Sequence, residues 1–449
     1  MSSGNRDTDF STSRFKPSLL KAGLFTKRCL NSRHFGYGLL CVSSVLYGGT
    51  LANAVPVAAS KLRPAALSAP MNRTLAPPSP AIMERARQLM NKPATWDQIP
   101  KEVTLCVYSP DGIHGKGFQY AMSYLSELPK YAQYAEKIGI SLKLTSLSDL
   151  QKRLDLHSNT LNRDSSTLIN FRVYTDERVA SEDFKAKKCD GVGISNLRAR
   201  QYNAFVGSLD ALGAVPSYAH LTEVIGLLAK PEMANYMVNK DYEITGIFPM
   251  GAAYIMVDDR SINTLSKAAG KKVAVLDFDK SQAKLVQKVG AQPVSVDLTS
   301  LAGKFNNHQV NIMAGPALLF KPFELYKGMT DSNGAVKGAI IRFPIVQVTG
   351  VIMMHRKRFP DGVGQLVREF SAGQLEPAYQ FVDSIEKDID PKYWMDLPAS
   401  DKLGYQKLMR EARIDMTKQG FYDPRMMHLL KLVRCKQDPT QFECSMDDE

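Results

Sequence analysis

Short apolar runs rich in β-branched residues alternate with longer amphipathic stretches in two separate blocks of the chain. In the first block we predict strands over residues 103–108, 140–144, 171–174 and 191–194, and helices over residues 118–138 and 177–185. A strand, a helix and a second strand in this order form the repeating unit of a parallel sheet. The first block therefore predicts one α/β lobe.

The second block has the same alternation and is followed by a helical region. Here we predict strands over residues 254–257, 272–277, 293–296 and 310–314, and helices over residues 281–289 and 298–305. Two further apolar runs, residues 339–343 and 346–355, are expected to lead back to the first lobe. The remaining chain is predicted to be helical over residues 362–389, 399–417 and 424–433.

These elements predict an α/β fold with two lobes and a cleft between them. Lobe I is expected to comprise residues 100–250 and 338–360, lobe II residues 251–337, and helices in residues 361–449 are expected to pack across both lobes. Ligands of open parallel sheets bind beyond the carboxyl ends of the strands, so we expect the site in the cleft. Residues 55–99 indicate an arm rich in Ala and Pro, and residues 146–168 a polar insertion.

The amino terminus has the order of an export signal. A basic lead precedes residues 35–60, which carry no charged side chain, and Ala52, Asn53 and Ala54 form an A-x-A site. We predict cleavage after Ala54 and a periplasmic location for the mature chain. The alternative is a retained membrane anchor, because the uncharged stretch is long enough to span a bilayer. Whether residues 1–34 delay export stays open at this stage.

Cysteine usage agrees with an oxidising compartment. Beyond residue 54 the chain has four cysteines, and an even number in an exported protein indicates disulfides. Cys435 and Cys444 lie close together in sequence, which favours their pairing and leaves Cys106 to pair with Cys189. Buried free thiols are the alternative. Because no pair has CxxC spacing, neither a zinc site nor redox exchange is predicted.

The remaining chemistry is sparse. The chain carries a net charge of +12, but we find no aromatic and basic interleaving of the kind that binds nucleic acid, so no such partner is expected. The seven histidines have no metal-ligand spacing, and no P-loop, GxGxxG or GxSxG motif is present. No metal, cofactor or catalytic set is predicted. Asp277 and Asp279 follow a predicted strand and could bind a cation, although Asp279 could equally cap the next helix.

Several segments carry a resemblance to a known family. They are residues 175–179, 189–200, 248–254, 270–277, 289–294, 305–316 and 392–396. The run from Gly270 to Asp277, followed by Gly290-Ala-Gln-Pro-Val294, resembles the second-lobe signature of TRAP-type (DctP-like) periplasmic solute-binding proteins. The first-lobe segments are more similar to an exported sub-family of TRAP-like proteins, some of which are labelled efflux-associated. The resemblance implies a type II-like periplasmic-binding-protein fold.

One departure from the family pattern bears on the ligand. The resemblance implies an arginine at position 274 that clamps a ligand carboxylate, but this chain has Ala274. We therefore predict an anchor elsewhere, either Arg198 and Arg200 after the fourth strand, or Asp277 and Asp279 for a cationic or polyhydroxy ligand. The alternative for both arginines is a salt bridge that packs the lobes. Tyr108, Tyr174, Tyr254 and Gln347 are further candidates, which could equally be core residues.

The function predicted from this pattern is capture of a small molecule by hinge closure and its delivery to the subunits of an inner-membrane transporter. No chemical reaction is expected. Two alternatives remain: a periplasmic accessory protein of a multidrug efflux system, and an enzyme built on the same two-lobed fold. The first requires an exposed apolar face, and the second requires convergent acid, base or nucleophilic groups in the cleft.

Overall fold

A computed structural model of the chain describes residues 100, 102–122, 139–144, 166–359 and 362–449. The predicted signal segment (residues 1–54), the arm (55–99) and the insertion up to residue 165 lie outside the described residues. Among the residues that are described, no helix combines the length and the apolar character needed to cross a membrane.

The described chain alternates strands and helices. The strands are β1 (Glu102–Tyr108), β2 (Gly139–Leu144), β3 (Ser166–Tyr174), β4 (Gly191–Ser195), β5 (Val238–Asn239), β6 (Tyr242–Val257), β7 (Lys272–Leu276), β8 (Gln292–Val296), β9 (Ile312–Pro316), β10 (Ala339–Ile341), β11 (Val346–His355) and β12 (Trp394–Met395). Residues 116–122 are also helical.

The labelled helices are α1 (Glu177–Lys185), α2 (Asn196–Ala199), α3 (Ala204–Gly207), α4 (Tyr218–Leu228), α5 (Leu265–Ala268), α6 (Lys280–Lys288), α7 (Leu298–Asn306), α8 (Val363–Ala372), α9 (Leu375–Lys387), α10 (Ala399–Lys418) and α11 (Pro424–Gln437). Short 3₁₀ segments cover Gly112–His114, Pro231–Tyr236, Ala317–Leu319, Leu325–Met329, Arg356–Arg358, Pro391–Tyr393 and Phe442–Ser445.

All strands join one mixed sheet whose main path runs β2-β3-β1-β4-β11-β6-β9-β7-β8. The four strands β2, β3, β1 and β4 are parallel, as are β9, β7 and β8 at the other end. Between them β11 and β6 run antiparallel to their neighbours and to each other. This arrangement gives two α/β halves joined by a pair of crossing strands, as the sequence predicts.

A β-bulge interrupts the crossing strands. Val348 pairs with Gly251, but Thr349 pairs with Pro249, so Met250 has no counterpart on β11. Gly251 has a φ of +99°, a left-handed conformation that side chains other than glycine rarely adopt. A bulge bends its strand and increases the local twist. The bulge at Met250 lies at the boundary that the sequence predicts between lobe I and lobe II.

Most of the predicted elements are present, some of them with the same bounds. The helix predicted over residues 177–185 is α1, and the run at residues 346–355 is β11. Other predictions differ from the structure in their bounds, two of them by a large margin. The strand predicted at 254–257 is only the end of the 16-residue β6. The helical stretch at 362–389 is divided into α8 and α9, since Gly373 and Gln374 separate the two helices.

Each half has its own apolar core. In lobe I, α1, α4 and α11 cover one face of β4 and β11, where Phe184, Ile194 and Leu221 are fully buried. In lobe II, Phe305 and Met313 lie in the core beneath α7. The carboxyl-terminal region contributes to both cores. Its residues Met416, Met426, Leu430 and Val433 pack in lobe I, and Ile389, Leu397 and Tyr405 pack in lobe II.

A buried ionic network fixes the last residues of the chain. Arg413 donates to Glu443 and Glu449 at 2.6 Å, and Arg434 donates to the same two carboxylates at 2.5 and 3.0 Å. Both arginines also donate to backbone carbonyls of the loop at residues 212–214, at 3.0 and 2.8 Å. Buried charges are tolerated only with such complete pairing, so the network holds α10, α11 and this loop together.

The structure contains both predicted disulfides. Cys106 on β1 is bonded to Cys189 just before β4, with their Cα atoms 5.8 Å apart, and Cys435 is bonded to Cys444 with a Cα distance of 5.5 Å. The first bond joins residues 83 positions apart and the second joins residues 9 apart. The first therefore closes the longer loop in the unfolded chain.

We predict that the two disulfides differ in their contribution to stability. In the chain-entropy model the Cys106–Cys189 bond contributes about 4 kcal/mol and the Cys435–Cys444 bond less than about 3 kcal/mol, because the cost of loop closure rises with loop length. Urea unfolding of the Cys106→Ala/Cys189→Ala and Cys435→Ala/Cys444→Ala variants measures the loss of unfolding free energy that each missing disulfide causes. Under reducing conditions, where the parent protein also lacks the disulfides, the difference between the two losses should vanish. An equal or larger loss in the second variant would contradict the loop-length argument.

Candidate functional site

A cavity of about 260 Å³ lies between the two lobes at the ends of their strands. On the side of lobe I the cavity is lined by Tyr108, the last residue of β1, and Ser195, the last residue of β4. On the side of lobe II it is lined by Ala274 of β7 and Pro316 of β9. Met250 at the bulge also contributes. The carboxyl ends of parallel strands thus meet at one opening, as expected for a ligand site in a sheet of this type.

The cavity continues into lobe II because the sheet is open there. Among the described residues, β7 and β9 pair at a single position, Val273 with Ile312. No further pairing joins these two strands in the described chain, and residues of both strands line the cavity together with side chains of α5 and α6. Its walls there are apolar side chains, which include Ile262, Leu265, Val275, Leu285, Val286 and Val289.

Arg198 connects the two lobes without lining the cavity. Its Nε donates to the buried Glu177 at 3.0 Å, and Glu177 also accepts from the backbone amide of Ser195 at 2.5 Å. The Arg198 guanidinium lies over the ring of Phe278 in lobe II, 4.1 Å from its centroid. The arginine is thus fixed on lobe I by an ion pair and presents its face to lobe II, where a cation–π contact is favourable.

Arg200 makes the second contact between the lobes, and it lines the cavity. Its Nη1 lies 3.6 Å from Asp279 of lobe II, and its Nε donates to the carbonyl of Gly207 at 3.0 Å. A Cβ at Gly207 would lie 2.5 Å from Arg200, so only glycine permits this approach. Arg200 Nη2 is buried and has no hydrogen-bond partner in the described part of the chain.

Asp210 is a buried carboxylate beside Arg200. It accepts from the backbone amide and the hydroxyl of Thr349, at 3.0 and 2.5 Å, and from Asn196 at 3.1 Å. Burial raises the pKa of Asp210 to about 6, although these hydrogen bonds and Arg200 act in the opposite direction. Asp210 also lines the cavity, so its protonation state sets the charge near the Arg200 side chain.

The structure brings together three of the predicted site residues at the cavity: Tyr108, Arg200 and Asp279. Burial, with Glu177 nearby, raises the pKa of the Tyr108 hydroxyl, so it stays protonated and can donate. The Arg200–Asp279 contact is the kind of lobe-packing salt bridge that was the alternative interpretation of the arginines. Whether these residues also bind a ligand stays a prediction.

The other predicted residues lie away from this cavity. The Tyr174 hydroxyl donates to Asp183 at 2.9 Å, and the Tyr254 hydroxyl donates to Glu386 at 3.2 Å in the core of lobe II. Asp277 is exposed and does not face the cleft with Asp279. Gln347 is buried between Val346 and Val348, which line the cavity, so strand alternation points it to the opposite face.

The sequence reasoning missed most of the cavity lining, including Phe278 and Asp210. Phe278 stands between the two predicted aspartates, and its contact with Arg198 follows from the turn after β7. Asp210 lies in a turn after α3 and meets Thr349 across 139 positions of sequence, a separation at which spacing carries no signal. Ala274, the position of the expected arginine, lines the cavity with a methyl group only.

A second, smaller cavity of about 150 Å³ shares Tyr108 and Met250 with the first. It lies between residues 116–122 and α9, and its walls are largely apolar. Tyr120 stacks on Phe381 there with ring centroids 4.4 Å apart. No group of three or more potential metal ligands occurs among the residues that the structure describes.

Comparison with known sequences identifies relatives over most of the chain. A family model described as "Solute-binding protein AdeT 1/2" matches residues 60–449. The probable solute-binding protein AdeT1 of Acinetobacter baumannii is 50% identical over 281 residues, which cover 63% of this chain and 91% of that protein. The probable solute-binding protein AdeT2 of the same organism is 27% identical over 241 residues, 54% of this chain and 99% of that protein.

Solved structures share the fold. A TRAP periplasmic solute-binding protein from Desulfovibrio salexigens with bound orotic acid has a TM-score of 0.54 at 13% identity, over 74% of this chain and 97% of that chain. One from Haemophilus influenzae with bound L-gulonate has a TM-score of 0.55 at 10% identity, over 74% and 99%. At such low identity the similarity establishes the two-lobed α/β fold and carries no ligand to this chain.

We predict that Asp210 gives the protein a pH-dependent stability. The unfolded carboxyl ionises near pH 4 and the folded one near pH 6, so between these values the folded state holds a proton that the unfolded state has lost. Stability should therefore fall as the pH rises, by about 1 kcal/mol between pH 5 and pH 7. Urea unfolding at both pH values measures this loss.

The Asp210→Asn variant is the control for this prediction. We expect it to be less stable at every pH, because the amide nitrogen cannot accept a hydrogen bond from Thr349 or Asn196. Its stability should nevertheless fall less between pH 5 and pH 7 than that of the parent protein. Identical pH dependence in both proteins would show that Asp210 does not titrate in this range.

Proposed function

We propose that this chain, which belongs to the AdeT 1/2 family of solute-binding proteins, captures a small molecule in the cavity between its lobes and delivers it to a membrane transporter. The observation that carries the proposal is the cavity itself, which takes walls from both lobes beside two direct contacts between them. A molecule in this position touches both lobes at once. Its binding therefore favours the closed arrangement.

Closure is proposed to occur about the bulge in the crossing strands. Met250 is the extra residue and Gly251 has the left-handed backbone, so a change of direction at this point leaves the paired strands on either side intact. Met250 lines the cavity, as does Pro316, which lies close to Gly251. Hinge motions of two-lobed binding proteins concentrate dihedral changes in a few residues of this kind.

The cavity groups are better suited to binding than to catalysis. Two carboxylates line the cavity. Asp210 accepts from Thr349 and Asn196, and Asp279 lies 3.6 Å from Arg200 and accepts from Gln282. A general base must reach a substrate proton, and both carboxylates are instead engaged by groups of the protein. We therefore propose a binding role without bond making or breaking, consistent with relatives that are named solute-binding proteins.

We place the mature protein in the periplasm. The structural neighbours are described as periplasmic binding proteins, and the amino-terminal charge pattern is that of an export signal. The two disulfides suit an oxidising compartment.

The proposal predicts that the interlobe contacts control closure. The Phe278→Ala/Asp279→Asn double variant removes the cation–π contact and the ion pair, whereas asparagine at 279 keeps an oxygen that can accept from Gln282. Together the contacts are worth roughly 2 kcal/mol, so we expect the open population to rise about 30-fold. The radius of gyration measured by small-angle X-ray scattering should increase, and any compound that raises the melting temperature should do so less in the variant.

The matched control is Arg178→Ala, which removes an exposed arginine whose partners are Asp176 and Glu182 in the same lobe. Its scattering and ligand response should equal those of the parent protein. A thermal-shift panel of carboxylates, amines and sugars supplies the compounds, because a ligand at 100 times its Kd adds about 2.7 kcal/mol. If no compound raises the melting temperature and the purified protein releases no small molecule on denaturation, the proposal fails.

The proposed export predicts a defined mature chain. Protein recovered from the periplasm should have the intact mass of a chain that begins at Val55 and contains two disulfides. A mass that includes residues 1–54, recovered from the membrane fraction, would instead identify residues 35–60 as a retained anchor.

A further inference from the structure

The larger cavity is chemically uneven along its length. Most of its polar side chains lie where the two lobes meet: Tyr108, Ser195, Arg200, Asp210, Asp279 and Gln282. The ring of Tyr422 lies there too, 5.1 Å from the Arg200 guanidinium. Deeper in lobe II the described lining is apolar except for Thr264, whose hydroxyl is paired with Ser266 at 3.0 Å, and Tyr405, which is buried in the apolar core of that lobe. A bound molecule would therefore meet hydrogen-bonding groups at one end and hydrocarbon at the other.

Small side chains keep the apolar end open. Ala253 on β6, Ala274 on β7, and Ala314 with Gly315 on β9 all line the cavity. Ala274 is 9% exposed, and an arginine here would fill much of the apolar passage. Alanine in place of the arginine that the family resemblance implies at position 274 therefore removes a carboxylate clamp and also leaves room for an apolar group.

The polar end offers one unused donor. Arg200 Nη2 is buried, and no acceptor reaches it within the described chain. A buried donor without a partner is unfavourable, so an oxygen acceptor on a ligand gains by reaching it. Because Asp279 already balances much of the arginine charge, the acceptor can be a carboxylate, a carbonyl or a hydroxyl oxygen.

We infer that the ligand is an amphipathic molecule, with an apolar chain or ring system between β7 and β9 and one oxygen acceptor at Arg200. This inference rests on the proposed function and names the ligand class for the same cavity. A compact molecule with polar groups on every side is a poor fit, because its hydroxyl groups would be buried against alanine, valine and leucine side chains.

The test is calorimetric titration of the mature protein with butanoate, hexanoate and octanoate, and with succinate and gulonate as compact acids. Each buried methylene should tighten the Kd about fourfold, so octanoate should bind more than 100-fold more tightly than butanoate. Succinate and gulonate should bind more weakly than octanoate. A Kd that does not depend on chain length overturns the inference.

Two variants locate the binding. Ala274→Phe fills the apolar end, so it should abolish the dependence of Kd on chain length, and Ala335→Phe in an exposed turn is the control that should preserve it. Should Ala274→Phe lower the melting temperature, Ala274→Val makes a smaller filling and should weaken octanoate binding more than butanoate binding. Arg200→Gln should weaken all the aliphatic acids by a similar factor. Octanoate binding that is unchanged in the Ala274 variants overturns the inference.

The outcomes separate this inference from the proposed function. If succinate or gulonate binds more tightly than octanoate, and Phe278→Ala/Asp279→Asn weakens that binding, the ligand class is wrong but the solute-binding role stands. If none of these acids binds and the wider compound panel also gives no shift, both proposals are wrong.

Discussion

The carboxylate of Asp210 binds the crossing strand β11 beside the bulge, where the two lobes are joined. It accepts from the amide and the hydroxyl of Thr349, the first β11 residue beyond the bulge, where the facing residue is Pro249. Proline has no amide to contribute to a ladder, and Met250 has no counterpart, so the strands alone pair poorly at this position. A side chain from a distant turn supplies the missing bonds, and its burial raises the pKa of that side chain.

The turn that carries Asp210 is itself fixed from two directions. Gly213 donates to the carbonyl of Ile345 at 2.7 Å, which ties the turn to the start of β11. On the other side, Arg413 and Arg434 donate to the carbonyls of Leu212 and Ala214. The buried network of the carboxyl-terminal helices thus reaches the proposed hinge through two backbone contacts. This explains why four charged side chains that do not line the cavity are buried together beside it: they position the loop that supports the crossing strands.

The sequence predicted the alternating strands and helices, but it did not predict the crossing strand β6 around the bulge. The apolar pattern defined α1 and β11 at their observed bounds, because α1 buries one face and the middle of β11 is buried on both faces. The first twelve residues of β6 were missed, since Gly246, Pro249 and Gly251 weaken any strand signal and only pairing with β11 makes the segment extended. Arg200 and Asp279 were accessible because each follows a predicted strand. Asp210 was not, since its partner comes from tertiary structure alone.

The lobes of this protein contact each other through their own side chains, so a ligand need not supply all of the interactions between them. Arg198 on Phe278 and Arg200 on Asp279 favour closure whether or not the cavity is occupied. A ligand changes the equilibrium only through interactions that differ between the open and closed arrangements. Asp279 already compensates the charge of Arg200 across the cleft. An additional arginine at position 274 would therefore have no acidic partner left in this ion pair. We propose that exclusion of water from the apolar passage is the larger difference between the two arrangements, because Arg200 and Tyr108 of lobe I line the cavity together with apolar side chains of lobe II.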